Sequence, residues 1–286
     1  MLTVKAPAKI NLTLEVLGKR PDGFHHIRSV IQAINLCDCL SFSPADKIEF
    51  SSDNPEFEPG KSLAVSAAAL LKEVTHSEQG AKIKIDKKIP FAAGLGGDSS
   101  DAAAVLIGLN QLWHQGLKPA RLLELAPRLG SDVGFFLYGA TALVEGKGEK
   151  VAPLPSLPRR QVVLLVPPLP PLAGKTKRLY AQLEPGHYTD GRITDRMVAG
   201  LTRGEVDDSM LFNTFENVAL NFFPKLIVYK EHFEKLGATK VRLAGSGPTM
   251  FTMLDDKAKA EDLYQRCKDQ GLRCYLAETL SSIDRI

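Results

Sequence analysis

The sequence predicts an α+β protein of two domains, and three observations carry that expectation. Its 286 residues lie where a single hydrophobic core stops growing and chains divide. Period-two apolar patterns and longer helical patterns interleave along the chain. A proline cluster, Pro153, Pro155 and Pro158, then interrupts both and marks a boundary, giving domains 1–157 and 158–286.

Each element can be justified in turn. Residues 3–16 alternate, with Ile10, Leu12, Leu14 and Val16 on one face, and read as a strand. Arg20-Pro21-Asp22-Gly23 is a turn signal, proline fixing its own φ and glycine accepting a positive one. Residues 29–35, 39–42 and 47–50 read as separate short strands. An Ala/Leu-rich helix follows over 62–74 with Ser62 placed to cap it, and 82–88 alternates as a half-buried strand. A helix over 120–129 precedes Gly130-Ser131-Asp132-Val133, and 140–145 and 149–151 flank Gly146-Lys147-Gly148 as a hairpin.

Past the proline cluster, 161–166 reads as a buried strand running into Pro167-Pro168-Leu169-Pro170-Pro171. Residues 184–210 are polar and weakly patterned, a surface excursion. Helical periodicity over 217–236 is broken at Pro224. Strands at 241–243 and 249–254 flank Gly245-Ser246-Gly247-Pro248, before a helix over 258–270 and a last strand at 273–277. No internal repeat is visible.

Composition narrows the function. Hydrophobic residues at 44% and charged residues at 24% are those of an ordinary soluble globular protein. A net charge of +3 without any basic run is too small to argue for nucleic acid, so no nucleic-acid partner is expected, and it suits an anionic small molecule only mildly. Lys5, Lys9 and Asn11 interrupt any signal-peptide core, and no apolar run approaches the roughly 18 to 20 residues that span a bilayer, so no membrane is expected. Cys37, Cys39, Cys267 and Cys274 lack zinc-finger spacing and are expected to be reduced thiols of a cytoplasmic protein.

The most informative stretch is Pro90-Phe91-Ala92-Ala93-Gly94-Leu95-Gly96-Gly97-Asp98-Ser99-Ser100. A strand runs into a loop with three glycines in four positions, followed by a helix carrying Val105, Leu106, Leu109, Leu112 and Trp113. Glycines let the backbone approach phosphates, and the unpaired N–H groups and dipole of a helix N-terminus favour an anion. Ser99 and Ser100 are placed to cap that helix and offer hydroxyls to phosphate oxygens. The loop is not a Walker A loop, and Gly174-Lys175-Thr176 has Leu169 where the upstream glycine would stand. The glycine spacing does not fit a dinucleotide fingerprint either. Read alone, the loop is equally a phosphate cradle or a tight structural turn.

Together with Pro7-Ala8-Lys9-Ile10-Asn11-Leu12 and Leu243-Ala244-Gly245-Ser246-Gly247-Pro248, this loop resembles the three motifs of the GHMP kinase superfamily. Lys19-Arg20-Pro21-Asp22-Gly23-Phe24-His25 and Leu129-Gly130-Ser131-Asp132-Val133 resemble segments of one family within it, the diphosphocytidyl-methylerythritol kinases. The resemblance implies an N-terminal ribosomal-S5-like domain with a left-handed crossover, a C-terminal ferredoxin-like domain, and an active site between them. It also implies ATP-dependent phosphorylation of the C2 hydroxyl of a cytidine diphosphate-methylerythritol, with Mg2+ shielding the triphosphate. Such an enzyme would serve isoprenoid precursor synthesis in the cytoplasm, as a monomer or weak homodimer.

The resemblance further assigns roles to residues. Pro90, Ala92, Ala93, Gly94, Leu95, Gly96, Gly97, Asp98, Ser99 and Ser100, with Gly245 and Ser246, would hold ATP. Asp132 would be the general base, with Lys9 beside it keeping the carboxylate ionised, as an opposite charge does. Asn11 would bind near the reacting hydroxyl, and His25 and Phe24 would hold the cytosine. Thr176 and Tyr180 match a Thr-x-x-x-Tyr element of these kinases. Without the flanking motifs the same residues read as a solvated strand lysine, a helix-cap aspartate, a strand asparagine, an exposed histidine and core aromatics. His25 and His26 alternate if extended, so no two-histidine metal site is expected, and no protein metal ligands are assigned.

Four positions depart from the family pattern. Asp98 stands for a glycine, a carboxylate beside the expected phosphate site that would repel the nucleotide if it faced it and cost little if it faced solvent or magnesium. Ser62 replaces an asparagine ahead of the first helix, where the adenine would be read. Phe24 replaces a tyrosine and Gly134 a proline.

Overall fold

The protein is described here by a computed structural model covering residues 1–170 and 172–283. Pro171, at the end of the expected proline run, lies outside the described residues. Strands β1 (Leu2–Lys19) and β2 (His25–Ala45) pair antiparallel along almost their full length. The turn between them is braced by Asp22, whose carboxylate accepts from the Arg20 guanidinium and the Phe24 N–H.

The two strands expected at 29–35 and 39–42 are one. Opposite Pro7 the register slips from Pro7↔Cys37 to Ala8↔Ile34, so a bulge takes up Asn35 and Leu36. Proline has no N–H for the ladder and is tolerated at such bulges. The break in alternation is therefore an irregularity within a strand, not its end.

The first half of β2 pairs with the later β5 (Thr141–Gly146), and its second half with β4 (Gly80–Asp86). Strand β3 (Ile48–Ser52) lies parallel to β4, and β6 (Lys150–Pro153) completes the expected hairpin with β5. Helices α1 (Leu63–Thr75), α2 (Gly97–Leu112), α3 (Pro119–Leu125) and α4 (Val133–Tyr138) pack their apolar residues against this sheet. Phe42, Trp113 and Phe135 are the largest side chains buried between the layers. Gly108 lets α2 lie directly on Phe42, since a Cβ there would be 2.5 Å from its ring. The apolar run of α4 is too short to show a helical period, and no helix was expected there.

The boundary expected after 157 falls between β6 and β7 (Gln161–Leu165), where a second sheet begins. Helices α5 (Lys175–Tyr180) and α6 (Arg192–Arg203) follow, then β8 (Phe212–Asn213), which pairs parallel with β1 and so joins the first sheet. Next come α7 (Glu216–Phe222), α8 (Leu226–Lys235), β9 (Arg242–Leu243), β10 (Met250–Leu254), α9 (Lys257–Asp269) and β11 (Cys274–Glu278). The second sheet has the order β11-β7-β10-β9, with every neighbouring pair antiparallel. This is the ferredoxin-like βαββαβ arrangement.

The expectation of a surface excursion over 184–210 is corrected by α6. Its Thr194, Met197, Gly200 and Leu201 are buried. The Thr194 N–H donates to Glu15 at 2.7 Å and its hydroxyl to Thr13 at 2.9 Å, both on β1. Half of that buried face is threonine and glycine, so no apolar stripe stood out in the sequence. A shared core of Ile10, Leu12, Val162, Leu164, Met197 and Phe251 joins the two halves. Among the described residues no helix is long and apolar enough to cross a membrane.

Candidate active site

A cleft of about 1110 Å³ opens between the halves, lined by β1, β2, the glycine loop, the segment before α4, α5 and the Gly245 loop. Its floor is backbone packed on backbone. Ala92, Gly94 and Gly96 take left-handed φ values of 51°, 85° and 74°. A Cβ on Gly94 would lie 2.3 Å from the Ala244 carbonyl, and one on Gly245 would lie 2.9 Å from the Gly94 carbonyl. Only glycine permits this approach.

Asn213 fixes the Gly245 loop. Its amide donates to the Leu243 and Gly245 carbonyls, both at 2.8 Å, and its Oδ1 accepts from the Phe215 N–H at 3.0 Å. Asn213→Leu keeps the shape and leaves three backbone groups unpaired in a buried place, so we expect a loss of about 3 kcal/mol. The urea midpoint should fall at unchanged slope, and a loss under about 1 kcal/mol would contradict this role for the amide.

Lys9 is buried, and its ammonium donates to Asn11 Oδ1 at 2.7 Å. Asn11 in turn donates to the Ser29 hydroxyl at 2.9 Å. The Asp132 carboxylate lies 3.9 Å from Lys9, an ion pair without a hydrogen bond. Burial lowers the Lys9 pKa, with the charge of Asp132 working against that shift. Asp132 stands immediately before α4, yet its side chain caps nothing and is 38% exposed to the cleft. A carboxylate not committed to the helix is free to act on a ligand.

Across the cleft, His25 stacks on Tyr180 with ring centroids 4.7 Å apart and planes 16° from parallel. Tyr188 meets His25 edge-on at 6.1 Å, and Phe215 meets Tyr180 edge-on at 4.9 Å. Burial, helped by the charge of Lys19, lowers the His25 pKa. Phe24 is 53% exposed at the mouth, with the Lys147 ammonium 4.7 Å above its ring. It is therefore not a core phenylalanine.

Of the residues expected to hold a nucleotide, Ala92, Gly94, Gly96, Gly245 and Ser246 line the cleft. Gly97, Asp98 and Ser99 form the first turn of α2. Pro90, Ala93 and Leu95 are buried. Three expectations need correction. Gly96, in a left-handed conformation, is the N-cap of α2, and neither serine caps it. The Ser100 hydroxyl is buried without a hydrogen-bond partner among the described residues and offers nothing to the cleft. Asp98 is not among the residues lining the cleft, and its carboxylate accepts from the Leu63 N–H at 3.1 Å and the Ser62 hydroxyl at 3.3 Å, on the N-terminus of α1.

Sequence reasoning missed Tyr188 and Lys175. Tyr188 was lost in the supposed excursion, where one aromatic residue in a polar stretch was the available signal. Lys175 belongs in the sequence to a segment that fails the Walker pattern, yet it lines the cleft beside Thr176, whose hydroxyl meets that of Ser246 at 2.8 Å.

The family described as GHMP kinases N terminal domain matches residues 62–140, and GHMP kinases C terminal matches 197–272. The chain is 48% identical over 284 residues to a 4-diphosphocytidyl-2-C-methyl-D-erythritol kinase of Dehalococcoides mccartyi, covering 99% of this chain and 100% of that protein. It is 40% identical to the protein of that name from Pelotomaculum thermopropionicum, with 95% and 96% covered. A crystal structure of 4-(cytidine 5'-diphospho)-2C-methyl-D-erythritol kinase superposes with a TM-score of 0.83 at 31% identity, covering 97% of this chain and 99% of that one. Homoserine kinase from Cytophaga hutchinsonii shares the fold, with a TM-score of 0.74 at 18% identity over 98% and 95% of the two chains.

Proposed function

The chain belongs to the 4-diphosphocytidyl-2-C-methyl-D-erythritol kinases of the GHMP kinase superfamily, and from that premise we propose that it transfers the γ-phosphoryl group of ATP to the C2 hydroxyl of 4-diphosphocytidyl-2-C-methyl-D-erythritol. One observation carries the reading at the level of residues. An uncommitted carboxylate, Asp132, lies 3.9 Å from a buried ammonium, Lys9, in a cleft that also holds the glycine loop and an aromatic stack.

Each part of the cleft then has work to do. A cytosine ring fits beside His25, Tyr180 and Phe24, because flat faces are exposed there and a neutral imidazole offers one donor and one acceptor. Asn11 orients the hydroxyl. Asp132 takes its proton as the oxygen attacks the γ-phosphorus, and the bond to the β-phosphate oxygen breaks to release ADP. Lys9 and the peptide N–H groups of the two glycine loops stabilise the charge that develops on the phosphoryl oxygens.

Magnesium, when bound, neutralises charge on the triphosphate. The carboxylates lining the cleft are Asp22 and Asp132, and among the described residues no three metal-ligating side chains converge. Such a setting suits magnesium held by the phosphates and water, which leaves Asp132 free to accept the proton. We assign the enzyme to the cytoplasm, where its free thiols stay reduced, as a monomer or weak homodimer with no nucleic-acid partner.

The test is ADP release from ATP and magnesium in the presence of the cytidine diphosphate substrate, mevalonate or homoserine. Release is expected with the first alone. Nucleotide binding without turnover on any of the three, or turnover on another acceptor, would remove the proposed activity.

A further inference from the structure

We propose that Lys175 is a second catalytic cation, contacting the phosphoryl group during its transfer; the inference rests on the kinase reading above. Lys175 begins α5 in the second half of the chain, and its side chain crosses to the glycine loop of the first. Its ammonium donates to the Ala92 carbonyl at 2.7 Å and to the Gly247 carbonyl. It thus binds both of the loops that form the cleft floor. The Ala92 residue is a non-glycine in a left-handed conformation, a costly backbone held where its carbonyl meets this lysine.

Three features separate this lysine from a simple tether. An ammonium has three donors, and two are used, leaving one. Among the described residues no carboxylate lies within ion-pair distance of it. Burial and the nearby charge of Lys9 also lower its pKa to about 8. Two ammonium groups, Lys9 and Lys175, therefore line one cleft, and of the two only Lys9 has a carboxylate, that of Asp132, within ion-pair distance among the described residues. Uncompensated positive charge in a partly buried place is costly until an anion arrives. The reaction brings that anion to this floor.

In the step itself the substrate O–H bond breaks and its proton passes to Asp132. The new oxygen–phosphorus bond forms and the bond to ADP breaks. Lys175 keeps its protons throughout and places positive charge beside the transferred oxygens, where charge moves in the transition state. The lysine did not stand out in the sequence because its two partners lie 83 and 72 residues away.

The experiment compares Lys175→Met with Lys175→Gln for turnover, ADP affinity by calorimetry and melting temperature. Methionine removes both charge and donors. Glutamine keeps N–H donors for the loop carbonyls and removes only the charge. Both variants are expected to lose about 10²-fold in kcat, with ADP affinity within about threefold of wild type. If the methionine variant melts early, the glutamine variant alone decides. Glutamine near wild type would make Lys175 a tether and overturn the proposal, as would a loss confined to ADP affinity. A wild-type protein that binds ADP but turns over no cytidine substrate would overturn the kinase reading itself, and this inference with it.

Discussion

Replacing Asp132 with asparagine is expected to lower kcat by about 10²- to 10⁴-fold, the range for removal of a positioned general base. The substitution is isosteric, so the change tests chemistry more than shape. The Asp132 side chain makes no capping bond to α4, and losing its charge should leave that helix in place. What disappears is the proton acceptor facing the cleft, together with the one carboxylate 3.9 Å from Lys9. Because the charge of Asp132 opposes the downward shift of Lys9, its removal should push the Lys9 pKa lower still. Activity remaining in the variant should therefore fall at a lower pH on the alkaline side than in wild type. Single-turnover ADP formation at saturating substrate measures the effect, with ADP affinity followed separately. A change of less than about fivefold in kcat would take proton abstraction away from Asp132.

The parts of this site that were legible in the sequence are those whose chemistry is local. The glycine loop reads as a close backbone approach because three glycines cluster ahead of a helix, and Gly94 and Gly96 take the left-handed conformations such a turn needs. The Pro7 to Leu12 segment reads as a strand because Ile10 and Leu12 alternate with Lys9 and Asn11. What stayed hidden depends on distant partners. In the sequence Asp98 and Ser62 stand as two separate departures from the family pattern. They are one feature: the carboxylate accepts from the Ser62 hydroxyl and the Leu63 N–H, 36 and 35 residues away. An acid at the N-terminus of α1 satisfies donors that the helix itself leaves unpaired. The charge that looked misplaced beside a phosphate site is spent on a helix end. Likewise α6 was hidden because threonine and glycine, not aliphatic residues, form half of its buried face.

The largest stability effect is expected beneath the glycine loop, at Lys87. Its ammonium lies 2.5 Å from Asp38 on β2 and 2.7 Å from Asp101 on α2, with all three side chains at most 3% exposed. The other oxygen of Asp38 accepts from the N–H groups of Lys88 and Ile89, at 2.6 and 2.8 Å, so the triad pins the chain as it enters the loop. Lys87→Met would leave two carboxylates buried together without their cation, a change that costs about 3 to 5 kcal/mol. The sign of its pH dependence follows from Asp101. Burial raises that carboxyl's pKa, the charge of Lys87 works against the rise, and the charge of Asp38 adds to it. A raised folded pKa means stability that is complete below the ordinary carboxylate range and lost as pH climbs through the raised value. Without Lys87 the folded state should hold its proton to still higher pH, so the variant's stability should fall more steeply than wild type as pH increases. Melting curves at about pH 5 and about pH 8 should show the deficit growing between them. A deficit that instead shrank as pH rose would mean that the carboxylates stay ionised without the lysine, and that water, not Lys87, compensates them. A variant that keeps its stability at both values would leave the loop's anchoring to the backbone bonds of Asp38 alone.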